Sequence, residues 1–442
     1  MTQYEYVATC LFGLEKFVGE EIEALGYERV DTMDGRVTFK GDINAIARCN
    51  MWLRCAERVY IKLGSFHAET FTELFDGTRA LPWEEWIGRD DAFPVKGHSI
   101  RSALTSIPDC QAIIKKAIVE RMKDEHGLLV FPEEGTKYQV DFFLFNDEAT
   151  LMIDTSGDPL YKRGYRPVAG AAPLRETLAA AMVKISRPRE NVLLWDPMCG
   201  SGTIPIEAAL IMTNTAPGTF RHFVSEDFLD IPFDSWKKAR EEAKDAVIRT
   251  DFRAYASDID PQMVQMAEAN IRRARMGDII KTFTKDAREI AAGGMRGTIV
   301  CNPPYGERLM DIKGAEALYR EMGQTFSKLD KWQIYVLTSS DYFEKHYGKR
   351  ADKIRKLYNG MLKCNLYQYF KSPEVKEEEG KTNFRDGFKK PYTPNGKFEN
   401  KKPYSDRKPD FERKPNFDRK PNFDRKPSEF TPKKPYKKTE TN

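Results

Sequence analysis

The sequence lacks any long uncharged apolar run, and it lacks paired cysteine motifs. No stretch of the 442 residues reaches the apolar length that a membrane span requires, so no membrane association is expected. The seven cysteines and five histidines are scattered and include no C-x-x-C pair, so no metal site is predicted. The first residues, MTQYEYVATCLFGLEKF, carry neither a basic leader nor a signal cleavage site. A cytoplasmic protein is expected.

Positive charge is scarce in most of the chain and concentrated at its end. The net charge of +4 divides into −4 for residues 1–370 and +8 for residues 371–442. The terminal segment repeats RKPNFD-like units, with little aliphatic surface to bury, so it is predicted to be disordered. Its Arg, Lys and Phe residues are typical of flexible RNA-binding extensions. The alternative interpretation is a solvated linker of mixed charge without a role.

The first 160 residues read as two small α/β domains. Residues 1–64 follow the order β-α-β-β-α-β of a ferredoxin-like domain, with a hairpin about Asp34-Gly35. Residues 65–160 continue with helices, an extended segment, a long helix ending before Gly127, and two strands about Asn146-Asp147. The predicted fold class is α/β throughout.

Residues 161–370 alternate strands with helices. This pattern predicts a parallel sheet covered on both faces. Near the end, KLYNGMLKCNLYQYF suggests a hairpin about Asn359-Gly360, which would add an antiparallel strand to the sheet.

Acidic residues end three successive strands of this region. Asp196 ends the first strand and precedes Gly200 and Gly202, Asp258 ends the second, and Asp286 ends the third. Doubly wound sheets bind ligands beyond the carboxyl ends of their strands, and glycines there allow close backbone approach. The motif is neither a P-loop nor G-x-G-x-x-G. We expect Asp258 to accept hydrogen bonds from ribose hydroxyls, Asp286 from an adenine amino group, and Asp196 to face the amino end of an amino-acid-like ligand.

The motifs DPMCGSGT, SDID, KDA and NPPYGERL stand in the order seen in class I methyltransferases, which this region resembles. The resemblance implies S-adenosylmethionine (SAM) as the cofactor. Cys199 is interpreted as a small packing residue rather than a nucleophile. The expected cofactor-binding residues are Asp196, Pro197, Cys199, Gly200, Ser201, Gly202, Thr203, Asp258, Ile259, Asp286, Ala287 and Asn302.

The tetrapeptide Asn302-Pro303-Pro304-Tyr305 follows an apolar strand. In the class I superfamily such a tetrapeptide marks methylation of an exocyclic amine on a planar base. The Asn302 side-chain oxygen and the Pro303 carbonyl would accept from that amine, and the prolines would fix both acceptors in advance. Tyr305 offers a face on which a flipped base stacks. These four residues are the predicted catalytic set.

Three longer stretches narrow the resemblance: YKRGYRPVAGAAPLRETLAAAMV, DPMCGSGTIPIEAA and NPPYGERL are similar to those of bacterial THUMP-domain RNA guanine-N2 methyltransferases. The implied organisation is a ferredoxin-like domain (1–64), a THUMP RNA-binding domain (65–160), a Rossmann-like methyltransferase domain (161–370) and the disordered tail (371–442). The chain resembles the N-terminal enzyme half of the large-subunit ribosomal RNA enzymes, whose second half has no counterpart here. The implied product is N2-methylguanosine, with 23S ribosomal RNA favoured as substrate.

Three alternatives remain open at this stage. The first is a guanine-N2 methyltransferase that acts on transfer RNA, the second a non-catalytic RNA chaperone, and the third a DNA adenine methyltransferase, which the THUMP-like region disfavours. The sequence leaves the oligomeric state open.

Basic residues outside the pocket are the expected RNA contacts. Arg163 and Arg166 lie at the predicted domain junction, and Lys96 and Arg101 lie in the THUMP region. All four are expected to contact RNA phosphates. Such contacts would fix the position of the RNA on the protein rather than select its sequence. The alternative interpretation of Arg163 and Arg166 is that they belong to an interdomain linker. The alternative for Lys96 and Arg101 is that they belong to a solvated face.

Overall fold

Two seven-stranded β-sheets organise the chain. The computed structural model describes residues 2–127, 131–167, 174–291, 293–306 and 311–370. The terminal segment 371–442, for which disorder is predicted, lies outside these residues. Within the described ranges, no helix combines the length and the apolar character that crossing a lipid bilayer requires.

The N-terminal part has the predicted ferredoxin-like order. Its strands pair antiparallel as β2-β3-β1-β4, and the turn between β2 and β3 places Gly35 at φ 78°, a conformation that glycine adopts without steric cost. The elements are β1 (Tyr4–Cys10), α1 (Glu15–Ala24), β2 (Glu28–Met33), β3 (Arg36–Gly41), α2 (Asn44–Trp52) and β4 (Ala56–His67).

The predicted THUMP part, residues 65–160, extends the same sheet instead of forming its own. Strand β4 pairs with β1 on one side and with β7 on the other, so the sheet order is β2-β3-β1-β4-β7-β6-β5. The expected boundary at residue 64 therefore falls inside one strand. The predicted hairpin is present, with Asn146 at φ 51° and Asp147 at φ 63°. The elements are α3 (Phe71–Arg79), β5 (Val95–Ile100), α4 (Ile107–His126), β6 (Val140–Phe145) and β7 (Glu148–Asp154).

The second sheet has the predicted parallel core with helices between its strands. Its order is β10-β9-β8-β11-β12-β14-β13, in which β14 runs antiparallel to both neighbours. The hairpin about Asn359-Gly360 supplies that strand, as predicted. The elements are α5 (Glu176–Ser186), β8 (Leu193–Asp196), α6 (Thr203–Met212), α7 (Phe233–Asp245), β9 (Ala254–Asp258), α8 (Pro261–Arg273), β10 (Ile280–Thr284), β11 (Gly297–Cys301), α9 (Ile312–Phe326), β12 (Trp332–Thr338), α10 (Phe343–Tyr347), β13 (Lys353–Asn359) and β14 (Leu362–Tyr369).

Ion pairs join the second sheet to the first. Glu57 of β4 accepts from Arg175 Nη1 (2.7 Å) and Thr177 Oγ1 (2.6 Å) at the start of α5. Arg48 of α2 forms a two-pronged pair with Glu242 of α7, with both N···O distances 2.8 Å. Paired donors and acceptors of this geometry fix orientation as well as adding attraction. The part built on the second sheet is thereby anchored on the ferredoxin-like part.

The carboxyl group of Asp141 on β6 has a raised pKa of about 7, because burial disfavours its charged form and Asp154 lies nearby. A carboxyl group whose pKa is higher when folded stabilises the fold at low pH, and this contribution is lost as the pH rises toward 7. Replacing Asp141 with Asn should therefore raise the free energy of unfolding by about 2–3 kcal/mol more at pH 8 than at pH 5. Urea denaturation at the two pH values measures this, and equal effects would contradict it.

Candidate active site

A glycine-containing loop joins β8 to α6 at the carboxyl edge of the second sheet. Gly200 and Gly202 have positive φ angles of 50° and 81°. A Cβ on Gly202 would lie 3.1 Å from the Cβ of Ala267 on α8, whereas a Cβ on Gly200 would meet no atom within 4 Å. Asn270 of α8 holds the loop by donating from Nδ2 to the Ser201 carbonyl at 2.9 Å. The loop therefore packs against α8 at Gly202 and is open at Gly200, as a ligand cradle requires.

Asp258 lies beside this loop at the end of β9. Its Oδ2 accepts from the Gly200 backbone N–H at 2.9 Å, and its Oδ1 accepts from Asp260 N–H at 3.1 Å. Each carboxylate oxygen retains a further lone pair that a hydroxyl group can use. Asp258 therefore shapes the cradle and keeps acceptor lone pairs that a ligand hydroxyl can use.

Asp196, at the end of β8, is almost completely buried. Burial raises the pKa of its carboxyl group well above the ordinary range, and the nearby Asp258 charge adds to this. Met198 N–H donates to it at 3.2 Å. Among the residues that the structure describes, no lysine or arginine forms an ion pair with Asp196. A ligand ammonium group would supply that missing charge, so the site fits the amino-acid end of SAM.

Asp286 follows β10, the third of the predicted strands. Its carboxylate forms an ion pair with Arg288. Arg288 Nε lies 2.9 Å from Oδ1 and 2.8 Å from Oδ2, and the Arg288 N–H also donates to Oδ1 at 2.8 Å. This pairing lowers the pKa of Asp286. An adenine amino group reaches Asp286 only by sharing or displacing the Arg288 contacts.

The Asn302–Tyr305 tetrapeptide forms a turn directly after β11. The Tyr305 hydroxyl donates to Asn302 Oδ1, the oxygen that we expect to accept from the target amine. Tyr319 of α9 fixes the turn from behind: its hydroxyl donates to the Pro304 carbonyl at 2.8 Å and lies 3.0 Å from Thr338 Oγ1. Because an amide oxygen has two lone pairs, Asn302 Oδ1 can still accept a hydrogen bond from a target amine.

The remaining predicted cofactor contacts surround the same cradle. Ser201 Oγ and Thr203 Oγ1 lie 3.1 Å apart at the start of α6. Ile259 follows β9 and is 60% exposed, so it offers an apolar face beside Asp258. Burial raises the pKa of the Cys199 thiol well above its ordinary value, which agrees with a packing role rather than a nucleophilic one. Pro197 lies in the same loop, and Ala287 is buried in the turn after Asp286.

Arg163 and Arg166 are buried, which corrects their expected role as phosphate contacts. Arg163 is 2% exposed and donates to the Leu160 and Arg54 carbonyls, with Glu207 Oε1 3.5 Å from its Nε. Arg166 Nη2 lies 2.8 Å from Glu176 Oε2. The sequence shows both arginines beside a motif, but it does not show the buried glutamates that neutralise them.

Arg166 contacts the cofactor loop instead. Its Nη1 lies 3.0 Å from Thr203 Oγ1 and 3.4 Å from Ser201 Oγ. The planar guanidinium group bridges these hydroxyls and Glu176, which a lysine cannot do.

Replacing Arg166 with Lys should therefore weaken SAM binding by about 5- to 10-fold while leaving RNA affinity unchanged, because lysine keeps the positive charge but loses one to two of the guanidinium hydrogen bonds to the loop. Calorimetry with SAM and filter binding with RNA measure the two affinities. A fall in RNA affinity alone would restore the phosphate-contact interpretation.

Lys96 and Arg101 are exposed at a distant sheet edge. Lys96 lies on the edge strand β5, and Arg101 follows that strand with φ 53°. The four predicted RNA-binding residues therefore do not form one surface.

Sequence reasoning missed the residues that support the site from neighbouring elements. Asn270, Tyr319 and Thr338 hold the loop and the turn. Thr338 ends β12, and a polar residue at a strand end was the one available signal. Asn270 and Tyr319 occupy ordinary positions in amphipathic helices, where nothing in the sequence marks them.

Three family models match the chain in succession. An RlmL ferredoxin-like domain model matches residues 5–60, a THUMP domain model matches residues 68–154, and an RMKL-like methyltransferase domain model matches residues 163–368. The order agrees with the domain organisation expected from the motifs.

Curated proteins match over most of the chain. "Putative RNA methyltransferase YpsC" of Bacillus subtilis (strain 168) is 46% identical over 385 residues, covering 86% of this chain and 100% of that protein. "Ribosomal RNA large subunit methyltransferase K/L" of Psychromonas ingrahamii is 33% identical over 380 residues, covering 82% of this chain and 49% of that protein. The chain thus spans about half the length of the second relative.

Solved structures share the whole architecture. SMU.472, a methyltransferase-like protein crystallised in complex with S-adenosylhomocysteine (SAH), is 39% identical with a TM-score of 0.79, and the match covers 84% of this chain and 99% of that one. A Listeria monocytogenes protein described as a "predicted N6-adenine-specific DNA methylase" is 45% identical with a TM-score of 0.79, covering 84% of this chain and 97% of that one.

Proposed function

The chain belongs to the RMKL-like methyltransferase family, and from that premise we propose that it transfers a methyl group from SAM to N2 of a guanine in 23S ribosomal RNA. The observation that carries the proposal is the Asn302–Tyr305 turn at the end of β11, at the same sheet edge as the Asp196, Gly200 and Asp258 cradle. The SAH complex of SMU.472 supports the choice of cofactor.

Positioning accounts for the chemistry that this turn performs. The Asn302 amide oxygen and the Pro303 carbonyl accept hydrogen bonds from the exocyclic amine, which orients its nitrogen lone pair. When bound, SAM supplies an electrophilic methyl group. The proton leaves the amine after transfer, so the site needs no strong general base. Because the buried thiols Cys199 and Cys301 have raised pKa values, they stay protonated and outside the reaction.

Guanine N2 in ribosomal RNA is favoured over three rivals. The THUMP match at residues 68–154 favours RNA over DNA, although the Listeria relative is described as a DNA methylase. The K/L relative favours ribosomal RNA over transfer RNA by its name alone. A non-catalytic chaperone would need neither the Asn302–Tyr305 turn nor Asp258.

One labelling experiment tests these alternatives. The purified full chain is incubated with methyl-labelled SAM and RNA from a strain lacking the gene, after which ribosomal and transfer RNA are separated, digested and analysed by mass spectrometry. Labelled N2-methylguanosine in 23S RNA is the expected result. The same nucleoside in transfer RNA would replace the proposed substrate, N6-methyladenosine would replace the proposed base, and no label despite SAM binding would favour the chaperone.

The terminal tail gives a separate prediction. Deleting residues 381–442 removes much of the excess positive charge. RNA affinity should fall, and the slope of log affinity against log salt should become shallower because fewer counterions are released. Filter binding between 50 and 200 mM salt measures both. An unchanged slope would identify the tail as a linker.

A further inference from the structure

Large exposed side chains lie on three loops: after β1, after β12, and between β13 and β14. Phe12 is 52% exposed, Tyr342 is 69% exposed and Met361 is 99% exposed. Tyr342 follows β12, and Met361 lies in the turn between β13 and β14. Large apolar groups left in water at one place on a folded protein commonly mark an interaction site.

Strand directions place these residues at the catalytic edge. Strand β13 is antiparallel to β14, and β14 is antiparallel to β12, so β13 ends at the same edge as β8, β9, β11 and β12. The β13–β14 turn therefore projects beside the Asn302–Tyr305 turn. Cys364 Sγ, near the start of β14, lies 4.0 Å from the Tyr305 hydroxyl. This contact places one face of the hairpin next to the proposed target site. Because side chains alternate along a strand, Lys363 and its register partner Tyr358 project from the opposite face at the same edge.

The N-terminal part places Phe12 beside this hairpin. The Phe12 and Tyr358 rings lie edge to face with centroids 5.7 Å apart. Arg355 Nη2 donates to the Gly13 carbonyl at 3.1 Å, which ties the loop after β1 to β13. Glu15 fixes the same loop by accepting from the Gly13 and Gly35 N–H groups. Phe12 is therefore exposed yet held on a fixed backbone.

Cations alternate with these aromatic rings. Lys356 Nζ lies 5.3 Å from the centre of the Tyr358 ring. Lys363 lies opposite Tyr358 in the hairpin. Its Nζ is 3.6 Å from Asp341 Oδ1, and the side chains of Lys363 and Asp341 are both more than half exposed. An exposed pair of this kind contributes little, so Lys363 is available to a phosphate.

We propose that this rim, formed by Phe12, Tyr342, Tyr358, Met361 and Lys363, binds the unpaired nucleotides that flank the methylated base. The proposal rests on the proposed RNA substrate and adds a role for the ferredoxin-like part. Aromatic faces stack on bases of any sequence, and interleaved lysines contact the phosphates between them. A protein partner would be favoured by a continuous apolar patch, whereas here cations separate the apolar groups.

The test compares full-length variants on unmodified 23S ribosomal RNA transcript. Phe12→Ala and Met361→Ala remove rim contacts, and Phe12→Trp keeps an aromatic face. Phe233→Ala is the matched control, because Phe233 is an 82% exposed phenylalanine on α7, outside the rim. Filter binding gives RNA affinity, methyl transfer gives KM and kcat, and calorimetry gives SAM affinity.

Loss of stacking should weaken RNA affinity of Phe12→Ala by about 5- to 50-fold and raise KM for RNA similarly. SAM affinity should be unchanged, and Phe12→Trp should retain wild-type affinity. The proposed role of the rim would be contradicted if Phe12→Ala bound RNA as tightly as wild type. It would also be contradicted if Phe12→Ala and Phe233→Ala lost equal RNA affinity. If the wild type binds the transcript but transfers no methyl group, the proposed substrate is wrong. The comparison of RNA affinities between the variants still tests the role of the rim in that case.

Discussion

Replacing Asn302 with alanine is expected to lower kcat by about 10²- to 10³-fold, the loss typical of removing one preorganised hydrogen-bonding group from an active site. Although Asn302 is also among the expected cofactor contacts, the variant should still bind SAM, because the cradle of Gly200, Asp196 and Asp258 is intact. Single-turnover methyl transfer with saturating RNA measures the chemical step, and calorimetry measures SAM affinity. Turnover close to wild type would remove Asn302 from the mechanism.

Tyr305→Phe is the matched control for this variant. It keeps the ring on which a base stacks but removes the hydroxyl that donates to Asn302 Oδ1. Since the amide oxygen keeps a lone pair for the target amine whether or not Tyr305 donates to it, losing this hydroxyl should leave kcat within a few-fold of wild type. A loss as large as that of Asn302→Ala would instead give the hydroxyl a direct part in the reaction.

Replacing Asp258 with alanine should weaken SAM binding by roughly 100-fold, because charge-assisted hydrogen bonds to a ribose contribute about 1.5–3 kcal/mol each. The same change frees the Gly200 N–H, which now donates to Asp258 Oδ2, so the loop also loses its fixed conformation. Calorimetry with SAM measures the effect. An unchanged dissociation constant would refute the assignment of the ribose contact.

Asp260→Ala provides the comparison for the Asp258 variant. Asp260 lies two residues further on, caps α8 by accepting from Gln262 N–H at 2.8 Å, and has no predicted contact with SAM. Loss of the cap should cost about 1 kcal/mol of stability. SAM affinity should stay at the wild-type value, which separates a local ligand contact from general destabilisation near the cradle.

The sequence predicted most elements of the fold because their apolar spacing is regular. It missed α7, whose buried side is built from Ser235, Trp236, Ala239 and Ala243, residues too small or too few to produce a clear apolar stripe. It also placed a domain boundary inside β4, because a twelve-residue strand shared by two domains gives the same local pattern as a strand and a linker.

The strand-end residues of the site were predictable, whereas the charged partners were not. Asp196 and Asp258 stand at carboxyl ends of parallel strands, so one sheet edge brings them together whatever the loops do. Arg163 and Arg166 differ because their surroundings depend on tertiary packing. Burial against Glu207 and Glu176 turns two apparent phosphate contacts into internal supports.

Strand β4 has a mechanical consequence for target selection. Its first half is hydrogen-bonded to β1 and its second half to β7, so one continuous strand joins the ferredoxin-like part to the THUMP part. The ion pairs of Glu57 and Arg48 fix the second sheet to the same body. If Lys96 and Arg101 bind phosphates as we expect, an RNA held at the β5 edge would be presented to Asn302 at one set distance. The length of RNA between that contact and the target base would then be a criterion of recognition in its own right.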